Sequence, residues 1–60
     1  MASYLARRIV KALEKGPLYE GALPLIVGGT MRDVIASLAC LRREGVVERV
    51  PSDPMTWRLR

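Results

Sequence analysis

Apolar positions along this chain change period near the middle and again near the end. At the N-terminal side, Leu5, Ile9 and Leu13 recur every four residues, with Ala6, Val10 and Ala12 beside them. Tyr4, Arg7, Lys11, Glu14 and Lys15 take the other face. That spacing predicts an amphipathic helix over Ser3 to Lys15, with Ser3 as its N-cap. Gly16 then stops it and Pro17 prevents its continuation. The same period returns in Val34, Leu38 and Leu41, which predicts a longer helix over 30–44. The Thr30 hydroxyl is placed to cap it, and Asp33 to reach back as in a capping box. Gly45 follows directly, where a left-handed residue ends a helix without steric cost. Arg32, Ala36, Ala39, Cys40 and Arg43 fall on the outer face of this helix.

Beyond Gly45 the period becomes two. Val46 to Val50 is rich in β-branched residues and reads as a strand, and Met55 to Arg60 reads as a second. Pro51-Ser52-Asp53-Pro54 supplies the tight turn between them. Met55, Trp57 and Leu59 alternate with Thr56, Arg58 and Arg60, so the odd positions should pack inward, with Trp57 as an anchor. The stretch from Pro17 to Gly29 is less regular. Pro17-Leu18 reads as a short extended piece and 19–27 as a short, kinked helix, because Pro24 removes a donor and disfavours helical geometry at Leu23. Gly28-Gly29 turns the chain into Thr30. Five consecutive apolar residues, Leu23 to Val27, exceed what a two-turn helix can bury. Some of Leu25, Ile26 and Ile35 should therefore be exposed or covered by a partner.

These elements make one domain over residues 1–60, α+β and mainly α: three helices followed by a two-stranded hairpin. The chain has 60 residues, half of them apolar, which is a globular composition. A chain this short buries only about 60% of its unfolded surface, so pairing with a second copy or a partner would help it. Ten basic residues against six acidic ones give a net charge of +4, and a polyanion is the partner that this sign suggests. Eight of those ten are arginines, and Asn, Gln and His are absent, a pattern that suits a thermophile. Cys40 is alone, which rules out an internal disulfide and suits a reducing, cytoplasmic setting. No apolar run is long enough for a bilayer, and the charge-broken start is unlike a signal peptide, so no membrane partner is expected.

The order helix, link, helix, turn, helix, hairpin resembles the winged helix-turn-helix domain over nearly the whole chain. The carriers are IVKALEKGPL from Ile9, GGTMRDVIASLACLRREGVVERV from Gly28, and the closing TWRLR. They are similar to the matching parts of archaeal and bacterial transcription regulators of the MarR and ArsR kinds. The spacing of Val34, Leu38, Leu41 and Gly45 recurs in such families, as does a hairpin that opens Gly-Val-Val-Glu-Arg and ends aromatic-Arg-Leu. The resemblance implies binding of double-stranded DNA, with helix 30–44 in the major groove and hairpin 46–60 as the wing. Carried over, the helix positions facing DNA are Thr30, Met31, Arg32, Asp33, Ala36 and Ser37. Arg32 would address a guanine edge, and Thr30 and Ser37 phosphates or bases. Arg42 and Arg43 would meet phosphates, and Arg49, Arg58 and Arg60 of the wing would meet the backbone or minor groove.

A second reading stays open, a winged helix that contacts protein within a larger assembly. The turn Pro51 to Pro54 has no basic residue. Ala36, Ala39 and Cys40 offer little polar reach, and Pro24, Leu25 and Ile26 are apolar where a surface helix is usually polar. A homodimer through Leu25, Ile26 and Ile35, or through the first helix, is the matching expectation. An enzyme is not expected. There is no His, no usefully spaced carboxylate pair, no phosphate-binding glycine loop and no cluster of metal ligands, so no cofactor or metal is expected either. Cys40 reads as packing or surface rather than as a redox sensor, with no neighbouring base to activate it.

Overall fold

The computed structural model describes residues 4–60. The proposed Ser3 cap lies outside them. The chain forms α1 (Tyr4–Leu13), a two-residue strand β1 (Leu18–Tyr19), a 3₁₀ turn (Glu20–Ala22), α2 (Leu23–Val27), α3 (Met31–Arg43), β2 (Val47–Val50) and β3 (Asp53–Leu59). Three helices therefore stand against a three-stranded antiparallel sheet in the order β1-β3-β2. No single helix among the described residues is long and apolar enough to cross a membrane.

Two features of the sequence set the course of the middle segment. Pro24 sits in the first turn of α2, where its missing N–H has no helical partner to lose. Gly28 and Gly29 then both take positive φ, 80° and 89°, which glycine alone adopts without steric cost. With Thr30 they form a three-residue link, across which the segment Glu20–Val27 and α3 lie 108° apart. Leu5 braces this link. Its methyl carbons lie 3.5–3.6 Å from the point where a Cβ on Gly29 would stand.

α3 begins and ends on side-chain and glycine signals. Thr30 Oγ1 accepts from the Asp33 amide at 3.1 Å. At the other end Gly45 has φ 78°. Its N–H donates to the Arg42 carbonyl at 3.0 Å, and the Val46 N–H donates to the Leu41 carbonyl at 2.9 Å. This pair of bonds is the Schellman arrangement. It sends the chain straight from α3 into β2.

The core is Ala6, Ile9 and Leu13 of α1, Leu23 and Val27 of α2, Val34, Leu38 and Leu41 of α3, Val47 of β2 and Trp57 of β3. Three expectations need correcting. On α1 it is Ala6, not Leu5, that shares the buried stripe with Ile9 and Leu13, because Leu5 is turned toward the α2–α3 link. Met55 has the inward parity of Trp57 but is exposed. Asp53, Pro54 and Met55 are all exposed, so the far end of the hairpin has no helix behind it. The turn is also shorter than expected. Val50 pairs with Asp53, leaving Pro51-Ser52 between the strands, and a bulge between Arg49 and Val50 absorbs the irregularity.

β1 was visible in the sequence only as an extended piece. It pairs with β3 on the side away from β2, Leu18 opposite Trp57 and Tyr19 opposite Thr56. β3 is thus the central strand rather than one arm of an isolated hairpin.

Leu38→Ala should lower the unfolding free energy by about 2–5 kcal/mol. Gly45→Ala should lower it by about 1–2 kcal/mol through the left-handed backbone it forces on a Cβ. Urea denaturation followed by Trp57 fluorescence reads both, and a Leu38→Ala midpoint equal to the parent would mean that α3 does not carry the core.

Candidate nucleic-acid interface

The side chains facing solvent on α3 divide by angle. At about 100° per residue, Arg32, Ala36 and Arg43 fall within one narrow stripe, with Ala39 and Cys40 flanking it. All five are exposed. Arg32 stands in the first turn and Arg43 in the last, roughly 16 Å apart along the axis at 1.5 Å per residue. Ser37 is half-buried and lies about 120° around the helix from the centre of that stripe. It borders Val34 and Leu41 rather than joining Arg32. Thr30 is exposed, and its hydroxyl oxygen serves as the helix cap.

On the sheet side of α3, Ile35, Ala39, Arg42 and Arg43 face Arg49 and Trp57 across a depression of about 370 Å³. This is where three of the expected arginines meet. Arg42 and Arg43 come from the last turn of α3, and Arg49 from β2. Arg49 sits opposite Trp57 in the strand register, so both point to the helix-facing side of the sheet.

Arg49 is also held more firmly than the sequence indicated. Its guanidinium carbon lies 4.4 Å from the Trp57 ring centroid. Its Nη1 donates to the Pro54 carbonyl at 2.8 Å and to Glu20 Oε1 at 3.3 Å. The same Glu20 oxygen accepts from Trp57 Nε1 at 3.0 Å. Glu20 is thus a buried carboxylate with two donors on one oxygen, and Trp57 is an anchor whose N–H has found its acceptor. Sequence reasoning missed Glu20 altogether. The signal was a lone carboxylate inside LYEGALPLIV, together with a tryptophan that needs an acceptor when buried.

The other arginines of the C-terminal segment go elsewhere. Arg58 pairs in register with Glu48, on the sheet face away from Trp57 and Arg49, and its Nε donates to Glu48 Oε2 at 2.7 Å. Strand alternation thus puts Arg49 and Arg58 on opposite faces of the sheet. Arg60 is exposed near the C-terminal end of α3. Its N–H donates to the Val46 carbonyl, and its Nη1 lies 3.6 Å from the Cβ position of Gly45. At the hairpin tip Asp53 accepts from Thr56 Oγ1 at 2.7 Å, so the single acid there has a local partner.

The apolar set proposed for a dimer is likewise divided. Leu25, Ile26 and Ile35 are all exposed, Leu25 by 89%. Yet Ile35 lines the arginine depression, whereas Ile26 lines a cleft between α1 and α2. Comparison with known protein families, curated proteins and solved structures finds no match to the chain.

Glu20→Ala leaves the Trp57 N–H without its acceptor and should cost about 1–3 kcal/mol. Glu20→Gln, which keeps an acceptor oxygen, should cost less. Equal unfolding midpoints for Glu20→Ala and the parent would show that this bond contributes nothing to the sheet's attachment.

Proposed function

We propose that this chain is a winged helix-turn-helix domain that binds double-stranded DNA and acts as a small transcription regulator. The observation that carries this reading is the 108° crossing of Glu20–Val27 and α3 through the three-residue link Gly28-Gly29-Thr30. A crossing of about 90–120° over a short glycine-bearing turn is the geometry of a helix-turn-helix, whose second helix lies in the major groove. The exposed stripe of α3 then faces the duplex, with Arg32 near the helix start for base edges. Small residues at Ala36 and Ala39 allow close approach.

Arg42, Arg43 and Arg49 suit phosphates. They line one depression on the side where α3 meets the sheet, and Arg49 is pre-oriented by Trp57 and Glu20. The hairpin, exposed on both faces beyond Met55, extends from the helical layer as a wing does. Its reach toward the backbone comes from Arg49 on the α3 side, whereas Arg58 is turned away and paired. A lone domain making a few phosphate contacts would bind weakly, in the non-specific range of about 10⁻⁴ to 10⁻⁶ M at physiological salt. Two copies on adjacent half-sites would bind much more tightly.

One observation favours the alternative, a winged helix that contacts protein in a larger assembly. Leu25 and Ile26 expose apolar surface on α2, and DNA has no use for it at that position.

The test is a fluorescence-anisotropy titration of a labelled duplex across a salt series. Affinity should fall steeply as salt rises. Arg43→Ala should weaken binding to all sequences and flatten the slope of log K against log salt by about 1. Arg32→Ala should instead relax preference among sequences. No binding at low salt, or binding that responds neither to salt nor to Arg43→Ala, would reject the proposal.

A further inference from the structure

We infer that the cleft between α1 and α2 is a docking site for an acidic amphipathic peptide segment of another protein. This reading does not depend on DNA binding, which concerns the α3 face. The cleft is about 340 Å³, with a floor of Ala12, Leu18, Ile26 and Val27. Its rim is Arg8, Lys11 and Lys15, and no acidic side chain lines it. Arg8, Lys11 and Ala12 fall on one stripe of α1, and Lys15 continues that stripe in the turn beyond. Among the described residues the two ion pairs are Arg49–Glu20 and Arg58–Glu48, so these three cations have no anionic partner there. Arg8 has a ring contact only, 5.5 Å from the Tyr4 centroid. Ile26 on the floor is 49% exposed although it is a large aliphatic residue.

The chemistry of the lining selects the occupant. A phosphate backbone would gain from the rim and nothing from the floor. A second copy docked by two-fold symmetry would bring Arg8, Lys11 and Lys15 toward their own counterparts, in a chain whose net charge is already +4. A membrane surface is flat and does not fill a concave cleft between helices. A short helix with leucines on one face and carboxylates beside them satisfies both parts. Its apolar side chains enter the floor, and its acids meet the rim. The stripe from residue 8 to 15 runs roughly 10 Å along the axis, enough for two turns of such a helix.

The probe is a fluorescein-labelled synthetic peptide with leucines along one helical face and glutamates elsewhere, titrated with the intact protein. Anisotropy reads the affinity and ¹H–¹⁵N shifts read the place. Saturable binding is expected, with shifts confined to α1, Leu18 and α2. Lys11→Glu and Ile26→Ser should each weaken it by about tenfold, with urea midpoints showing that both variants fold. Arg43→Glu, on the other surface, should leave it unchanged. Equal affinity for a scrambled peptide of the same composition would overturn the inference, as would shifts on α3. So would displacement of the peptide by duplex DNA or by phosphatidylglycerol vesicles, or self-association mapped to the cleft. Because duplex binding is read separately through Arg43, failure of the peptide arm is distinct from failure of the DNA reading.

Discussion

Everything in this small fold depends on how Trp57 is held. Its ring is buried in the core at 2% exposure, its N–H is bonded to Glu20, and a guanidinium lies on its face. A buried indole contributes a large apolar area but needs an acceptor, and Glu20 supplies one from the turn that follows β1. The carboxylate in turn needs compensating donors, and it has two, from Trp57 and Arg49. The planar Arg49 side chain stacks on the ring and closes the cluster. These contacts join the 3₁₀ turn to the hairpin strands β2 and β3, about thirty residues further along the chain. The joint fixes the sheet against the helical layer in a domain too small to have much core to spare.

The consequence for function is a division of labour among the arginines. Arg49 is positioned by the cluster beside Arg42 and Arg43, so three guanidinium groups, one of them paired with Glu20, gather where α3 meets the sheet. Arg58 is used within the sheet, opposite Glu48. Arg32 stands alone at the head of α3. The cations of α1 belong to a different surface, set beside apolar residues rather than beside other arginines. One small domain thus presents two cationic surfaces, one where arginines of α3 and β2 flank Ile35, Ala39 and Trp57, the other an apolar cleft rimmed by cations of α1.

Much of this was legible in the sequence. α3 was readable because every level agreed: the Val34, Leu38, Leu41 stripe, the Thr30 cap and the Gly45 stop. The hairpin followed from the β-branched run Val46 to Val50 and the alternation from Met55, whereas the kinked helix expected over 19–27 is instead a strand residue at Tyr19, a 3₁₀ turn and a five-residue α2, because Pro24 falls in the first turn and leaves Leu23 helical. What was not legible depended on contacts across the chain. A two-residue strand at Leu18–Tyr19 has no periodicity to detect, and it forms only because β3 offers a free edge. Glu20 went unnoticed, since nothing local reveals that Trp57 donates to it. Arg49 and Arg58 looked equivalent because their facing depends on strand register. Met55 followed the right alternation but stands where the helices have ended.

The central claim is that the Glu20–Trp57–Arg49 cluster welds sheet and helices into one cooperative unit. Native-state hydrogen exchange tests it most directly, by comparing the Trp57 indole N–H and the β3 amides with the amides of α3. If the claim holds, all exchange with the free energy of global unfolding. Exchange of the indole and β3 at a distinctly lower free energy than α3 would contradict it, for the sheet would then open while the helices stay folded.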